Sequence, residues 1–224
     1  MIQAEADRDG DPRAGVWGIV LAAGGGQRFG ASKQFSSLGK ATLVERAVAA
    51  AAATCEGVVL VLPATRMWEG PPVDAVVVGA AHRSGSVRAA LAAVPEAAEI
   101  IVVHGAAHPL ASEELFRRII GEVRSGAAAA APGLPPSDVV AQVGDGDLTR
   151  LVGRDGLMTL QTPCAFRAPL LRAAHERAVE ASEDIELVLA LGATVRVVPG
   201  EPWNVHVVTP DDLALARWWD HRAW

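Results

Sequence analysis

Leu21-Ala22-Ala23-Gly24-Gly25-Gly26-Gln27-Arg28-Phe29-Gly30, with Lys33 shortly after it, is the stretch on which the reading of this chain turns. It closes a short apolar run, residues 16–22, that reads as a buried strand ending in glycines. Small residues at a strand end let backbone N–H groups approach an anion closely, and glycine reaches the positive φ such a turn uses. Arg28 and Lys33 place two cations in the same loop. A triphosphate asks for both features: amide donors for its oxygens, and mobile positive charge for the transition state. The stretch is no Walker loop, because no Gly-Lys-Ser/Thr follows, and the dinucleotide fingerprint would need Gly or Ala where Phe29 stands. The glycines alone fit a tight βα turn equally well; the two cations tilt the reading toward a nucleoside triphosphate.

Outward from this loop, strand and helix signals alternate. Thr42 and Glu45 stand at the spacing of a capping box and open a helix over residues 42–53. Residues 57–62, 73–78 and 100–104 read as strands, and 84–94 and 112–124 as helices, the latter with Ser112 as N-cap. Residues 127–131 read as a further strand. After the proline-rich 132–136, residues 138–152 alternate around Gly144-Asp145-Gly146, the pattern of a β-hairpin. Helices are expected over 169–180 and 183–191, strands over 194–198 and 205–208. Thr209 as cap and Pro210 at the first helical position start a last helix that runs to about Asp220. This order predicts an α/β fold: a mostly parallel sheet with helices on both faces and a protruding hairpin arm.

Composition sets the outer bounds. The 224 residues fit one domain, expected over 16–224 with the arm at about 133–153, and residues 1–15 read as a disordered extension. A net charge of −6 argues against a nucleic-acid partner. No apolar run approaches about 18 residues, so no membrane span is expected. Cys55 and Cys164 lie far apart without zinc-site spacing, which points to reduced thiols in the cytoplasm. His82 and His175 read as surface residues, Glu183, Asp184, Asp211 and Asp212 as helix-start charges, Cys164 as a small buried apolar group, and His104 as a strand-end residue with a capping or catalytic role.

The ordered landmarks then carry a resemblance. They are Ala22-Ala23-Gly24, Gly26, Arg28 and Lys33-Gln34-Phe35, then Gly79, Arg83 and Ser86-Val87, then the run from Val103 to Pro109. Arg154, Gln161-Thr162-Pro163, Asn204-Val205-His206-Val207 and Pro210-Asp211-Asp212-Leu213 follow. The whole set resembles the sugar-phosphate cytidylyltransferases, and most closely the 2-C-methyl-D-erythritol 4-phosphate cytidylyltransferase family of the non-mevalonate isoprenoid pathway. The resemblance implies a Rossmann-like nucleotidyltransferase fold. It implies transfer of CMP from CTP to the polyol phosphate with release of pyrophosphate, Mg²⁺ held mainly by the nucleotide phosphates, and a homodimer with exchanged arms. By position, Arg28, Lys33 and His206 would be catalytic. Ala22, Ala23, Gly24, Gly25, Gly26, Arg83, Ser86 and Ala106 would contact the nucleotide, and His108, Arg154 and His206 the acceptor. Gly105 stands where the family has Asp, His108 where it has Arg, and His206 where it has Lys. The two histidines are candidate replacements, able to donate hydrogen bonds and to protonate beside phosphates. These departures leave two alternatives open: a paralogue using another polyol phosphate or phosphonate, and a catalytically impaired nucleotide-binding relative.

Overall fold

The structure, a computed structural model, describes residues 10–25, 29, 32–177 and 179–222. Strand β1 (Val16–Leu21) opens the main sheet. A 3-10 turn (Lys33–Phe35) and a small hairpin, β2 (Ser37–Leu38) and β3 (Ala41–Thr42), lead into helix α1 (Leu43–Ala52). Then come β4 (Gly57–Leu62), β5 (Ala75–Val78), α2 (Arg83–Leu91), β6 (Ile100–Gly105) and α3 (Glu113–Arg124). Strand β7 (Ala129–Leu134) is followed by the arm, β8 (Val140–Gly144) and β9 (Asp147–Val152), and by β10 (Thr159–Leu160). The chain ends with β11 (Cys164–Arg167), α4 (Ala168–Glu176), α5 (Asp184–Ala190), β12 (Val195–Pro199) and α6 (Pro210–Asp220).

Strands β6, β1, β4 and β5 lie side by side and parallel. Strand β11 inserts antiparallel between β6 and β7, and β12 pairs parallel with the other side of β7. Alternation along each central strand feeds two cores. Val16 and Val20 of β1, with Leu60 of β4 and Val102 of β6, face α1 and α3. Ile19, Val61, Ile101 and Phe166 face α2, α4 and α5. A smaller third cluster, Leu38, Leu43, Val207, Leu213 and Ala216, seats α6 over the β2–β3 hairpin. The expected fold class is therefore present.

The helix starts follow the local chemistry. Thr42 Oγ1 accepts from Glu45 N at 3.3 Å while Glu45 Oε2 accepts from Thr42 N at 2.6 Å, so the capping box is closed both ways. Thr209 and Asp212 repeat the arrangement at α6. In the arm, Asp145 and Gly146 both take positive φ, 51° and 89°, as a two-residue hairpin turn demands.

Four readings of the sequence are corrected. Residues 205–208 form no strand. Val207 N bonds to Ala107 O at 2.8 Å, but the segment joins no sheet, and Val207 packs into the core under α6. The helix expected to reach residue 180 ends at Glu176. The strand expected from residue 73 begins at Ala75, because Asp74 instead caps β4 by accepting from Val58 N through its carboxylate at 2.7 Å. His175 is buried, not on the surface. Of the predicted N-terminal extension, residues 1–9 lie outside the described residues. Residues 11–15 form turns whose Gly15 carbonyl accepts from Glu99 N and Ile100 N.

Phe166 is fully buried where the antiparallel strand meets the α2–α4 face. Phe166→Ala is expected to lower stability by about 3–5 kcal/mol. A thermal or denaturant melt that shifts only marginally would contradict this placement of the core.

Candidate active site

Parallel sheets bind ligands outside the carboxyl ends of their strands, where the strand order reverses. Here the chain moves from β1 to β4 and β5 on one side, then crosses to β6 on the other, so the reversal lies between β1 and β6. A cleft of about 430 Å³ opens there. Its walls are the end of β1 with residues 22–25, the end of β6 with Gly105–Ala107, and the turn from Ala80 into α2; Lys33 and His206 close it.

One side chain organises the loop after β1. Gln34 is buried, and its Nε2 donates to Ala22 O at 2.8 Å and to Gly24 O at 3.1 Å. A trans peptide points its N–H opposite to its carbonyl. With those two carbonyls turned toward Gln34, the N–H groups of Ala23 and Gly25 must face away from it. The amides of Ala22 and Ala106 are committed elsewhere, to Val61 O at 2.9 Å and Leu21 O at 3.0 Å. These two residues therefore supply wall to the cleft and not anion donors, a correction to the expected backbone contacts of Ala22. Gly79, after β5, passes so close to this loop that a Cβ there would lie 2.2 Å from Ala23 Cβ. Ser86 Oγ accepts from Ala80 N at 3.0 Å and donates to His82 O at 3.2 Å, which fixes the turn on the far wall.

The structure thus gathers Ala22, Ala23, Gly24, Gly25, Lys33, Arg83, Ser86, Ala106 and His206 around one cleft. Gly26 and Arg28 lie outside the described residues. Arg154 does not line the cleft; it sits at the base of the arm, donating through Nη1 to Ser137 O at 2.7 Å. His108 stands behind the cleft, its ring stacked on His206 at 4.6 Å between centroids and 16° between planes.

Electrostatics correct the expectation for His108. It is buried, and its Nδ1 lies 3.2 Å from Asn204 O, a carbonyl that can only accept, so the proton sits on Nδ1. Burial, reinforced by the neighbouring His206, holds its pKa at about 4. With no anion beside it, His108 is therefore neutral at pH 7. His104 is likewise neutral, pushed to about 3 by burial, with its edge on Phe116. Thr162 Oγ1 accepts from Gly105 N at 3.3 Å and shares a hydrogen bond with His104 Nδ1 at 3.2 Å, so His104 helps to hold the end of β6. Asn204 Nδ2 donates to Thr162 O at 2.9 Å, tying the His206 segment to the floor of the site.

Sequence reasoning quoted Gln34, Thr162 and Asn204 in motifs without giving them work. It missed the buried group beneath Arg83. Arg83 Nη1 meets Asp184 Oδ2 at 2.6 Å, and His175 Nε2 meets Asp184 Oδ1 at 2.9 Å. The only signal was the acidic pair at the start of α5, which is indistinguishable from ordinary helix-start charge.

The donors around the cleft suit an anion. Among the described residues lining it there is no carboxylate, and no group of three or more His, Cys, Asp or Glu could hold a metal ion. A resident divalent cation does not fit these side chains.

Comparison with known proteins agrees with this geometry. The sequence model described as 2-C-methyl-D-erythritol 4-phosphate cytidylyltransferase matches residues 16–219. The chain belongs to this family. A 2-C-methyl-D-erythritol 4-phosphate cytidylyltransferase of Nocardia farcinica is 40% identical, with 95% of each chain covered. One from Rhodococcus opacus is 39% identical over 92% of this chain and 95% of its own. The crystal structure of the cytidylyltransferase from Thermus thermophilus superposes with a TM-score of 0.79 at 31% identity, covering 91% of this chain and 98% of the other. The chain spans about half of some longer family relatives, such as the bifunctional IspD/IspF enzyme of Clavibacter michiganensis, of which it covers 54%.

Two outcomes follow for the cytidylyltransferase site. Gln34→Ala is expected to weaken nucleotide binding about 10-fold, the scale of losing a buried polar anchor, with a small fall in melting temperature. Unchanged binding by calorimetry would remove Gln34 from the loop's support. The depressed pKa values of His104 and His108 lie below the ordinary 6.5. The unfolded chain therefore binds more protons as pH falls, so their contribution is complete above 6.5 and is lost toward about 4 and 3. The expected slope is about 1.4 kcal/mol per pH unit for each histidine. His108→Gln should make the acid-side decline shallower in melts taken across this range, and an identical decline would contradict the assignment.

Proposed function

We infer that the chain transfers CMP from CTP to 2-C-methyl-D-erythritol 4-phosphate and releases pyrophosphate. The observation that carries the reading is the cleft at the strand reversal, where Gln34 turns two backbone amides outward beside Lys33, in a chain that matches this family along almost its whole length.

In this reaction a phosphate oxygen of the acceptor attacks the α-phosphorus of CTP and pyrophosphate leaves. The protein's share is placement and charge. The amides of Ala23 and Gly25 and the Lys33 ammonium grip the triphosphate, with Arg28 on the same loop by sequence. Ala80, Ser86 and Arg83 form the side that receives base and ribose. His206 offers an imidazole beside the α-phosphate, and His108 behind it sets the plane of that ring. Mg²⁺, in this reading, would be held by the nucleotide phosphates and not by the cleft's own side chains, and would screen the triphosphate charge.

The catalytic unit is one domain over residues 16–224, and its assembly is a homodimer. The arm supports this: β8 and β9 pair only with each other, and Val143, Leu148 and Leu151 stand exposed along it. In the dimer, Arg154 at the arm's base serves the acceptor site of the second copy. A reducing cytoplasm suits the chain, since Cys55 and Cys164 are free, buried thiols.

One observation favours a second reading. Gly105 lines the cleft without a side chain, and a Cβ there would meet Thr162 Oγ1 at an ordinary contact distance of 3.7 Å, so the missing side chain leaves space that a bulkier acceptor could use. Pyrophosphate release from CTP, measured against a panel of polyol phosphates and phosphonates, separates the cases. Release with 2-C-methyl-D-erythritol 4-phosphate is the expected result. Release only with another acceptor would establish the second reading, and CTP binding with no release would make the chain an impaired relative. Lys33→Ala is expected to lower kcat/KM by about 100- to 1,000-fold in a chain that still folds, as CD spectra would verify. Near-full activity in that variant would overturn the assignment of the loop.

A further inference from the structure

Arg83 enters the cleft from the first turn of α2. Its guanidinium does not stand alone. Nη1 lies 2.6 Å from Asp184 Oδ2 and Nη2 lies 3.2 Å from Glu183 Oε2, so the fork spans both carboxylates at the start of α5. Asp184 is itself buried and carries a second partner, the buried His175, whose Nε2 is 2.9 Å from Oδ1. Arg83, Asp184 and His175 come from three helices, α2, α5 and α4, and the first two are 101 positions apart.

A buried ion pair is a weak stabiliser, because desolvation of the charges offsets most of their attraction. Its better-attested use is to fix one geometry. Of the three, Arg83 lines the cleft and Asp184 does not. His175 lines no part of the cleft, and its Nδ1 is buried without a hydrogen-bond partner, a cost tolerated to keep Nε2 on Asp184. From this we propose that Asp184 and His175 are positioning residues for CTP: His175 holds the Asp184 carboxylate, and Asp184 holds Arg83 at the nucleotide side of the cleft. The inference rests on the nucleotide reading above.

Charge says which part of the nucleotide Arg83 receives. Two carboxylates compensate its single positive charge. A compensated guanidinium is weak for a polyanion but keeps unused N–H donors for neutral acceptors. Arg83 therefore addresses the base or ribose, and the phosphates go to the Lys33 end. Burial alone would raise the Asp184 carboxyl, but the His175 hydrogen bond and the Arg83 charge more than offset it and hold the group below its ordinary range. Both contacts favour the charged carboxylate that the Arg83 fork requires.

The test is a double-variant cycle read by CTP calorimetry, with CD spectra and melts to verify folding. Asp184→Asn alone is expected to weaken CTP binding about 10-fold, the scale of one charged hydrogen bond. In an Arg83→Ala background the same substitution is expected to change CTP affinity less than about twofold, since there is no guanidinium left to place. Inorganic pyrophosphate, which has no base or ribose, should bind Asp184→Asn as it binds the parent chain. Equal losses of CTP affinity in both backgrounds, or an equal loss for pyrophosphate, would show a general structural role and overturn the inference. Should Asp184→Asn fail to fold, His175→Gln, which keeps a donor for Asp184, and His175→Leu, which does not, carry the same cycle; Gln is expected to retain affinity and Leu to lose it only when Arg83 is present. A parent chain that bound no CTP would bring down the nucleotide reading and this inference together. A parent chain that binds CTP while the variants behave additively brings down this inference alone.

Discussion

The site depends on how one primary amide is used. Gln34 takes the carbonyls of Ala22 and Gly24 to itself, and in doing so decides where the neighbouring N–H groups point. A loop with no regular secondary structure has no ladder to orient its peptides. Without such an anchor, residues 22–25 would sample many orientations, and each captured anion would meet the entropic cost of ordering them. The close passage of Gly79 under Ala23 completes the arrangement from below. Thus a buried side chain and a missing Cβ shape the backbone surface that the cleft presents.

The same logic governs the histidines. Buried imidazoles beside an anion site look like spare cations, yet desolvation keeps His104 and His108 neutral. What they contribute is direction. His104 pairs with Thr162, and His108 lies between the Asn204 carbonyl and the exposed ring of His206. Among the described residues lining the cleft, the permanent cations are Lys33 and Arg83, the latter held against two carboxylates.

Much of this was readable in advance, for reasons that can be named. The glycine loop stood out because small residues, a preceding apolar run and following cations are all local. Strands β1, β4 and β6 were plain because both faces are buried, so the runs are continuously apolar. Strand β11 went unseen: its four residues have no period of their own, and they become a strand only because β6 and β7 each offer an edge. Residues 205–208 failed in the opposite way, since their β-branched side chains suit a strand, but the nearest need was a lid for the third core cluster. The group beneath Arg83 was invisible because it joins residues 9 and 101 positions apart, each with an ordinary local explanation. His175 in particular looks like any polar residue on an amphipathic helix until its carboxylate partner arrives from α5.

The paired base of the arm carries an evolutionary consequence. The excursion departs after β7 and returns through β10, where Leu134 faces Thr159 and Gly133 faces Leu160. Those pairs clamp the two ends of the detour to the main sheet, so whatever lies between them is free of the register inside. Lineages can therefore lengthen, shorten or resurface the arm by small genetic steps without shifting the pairing of the main sheet.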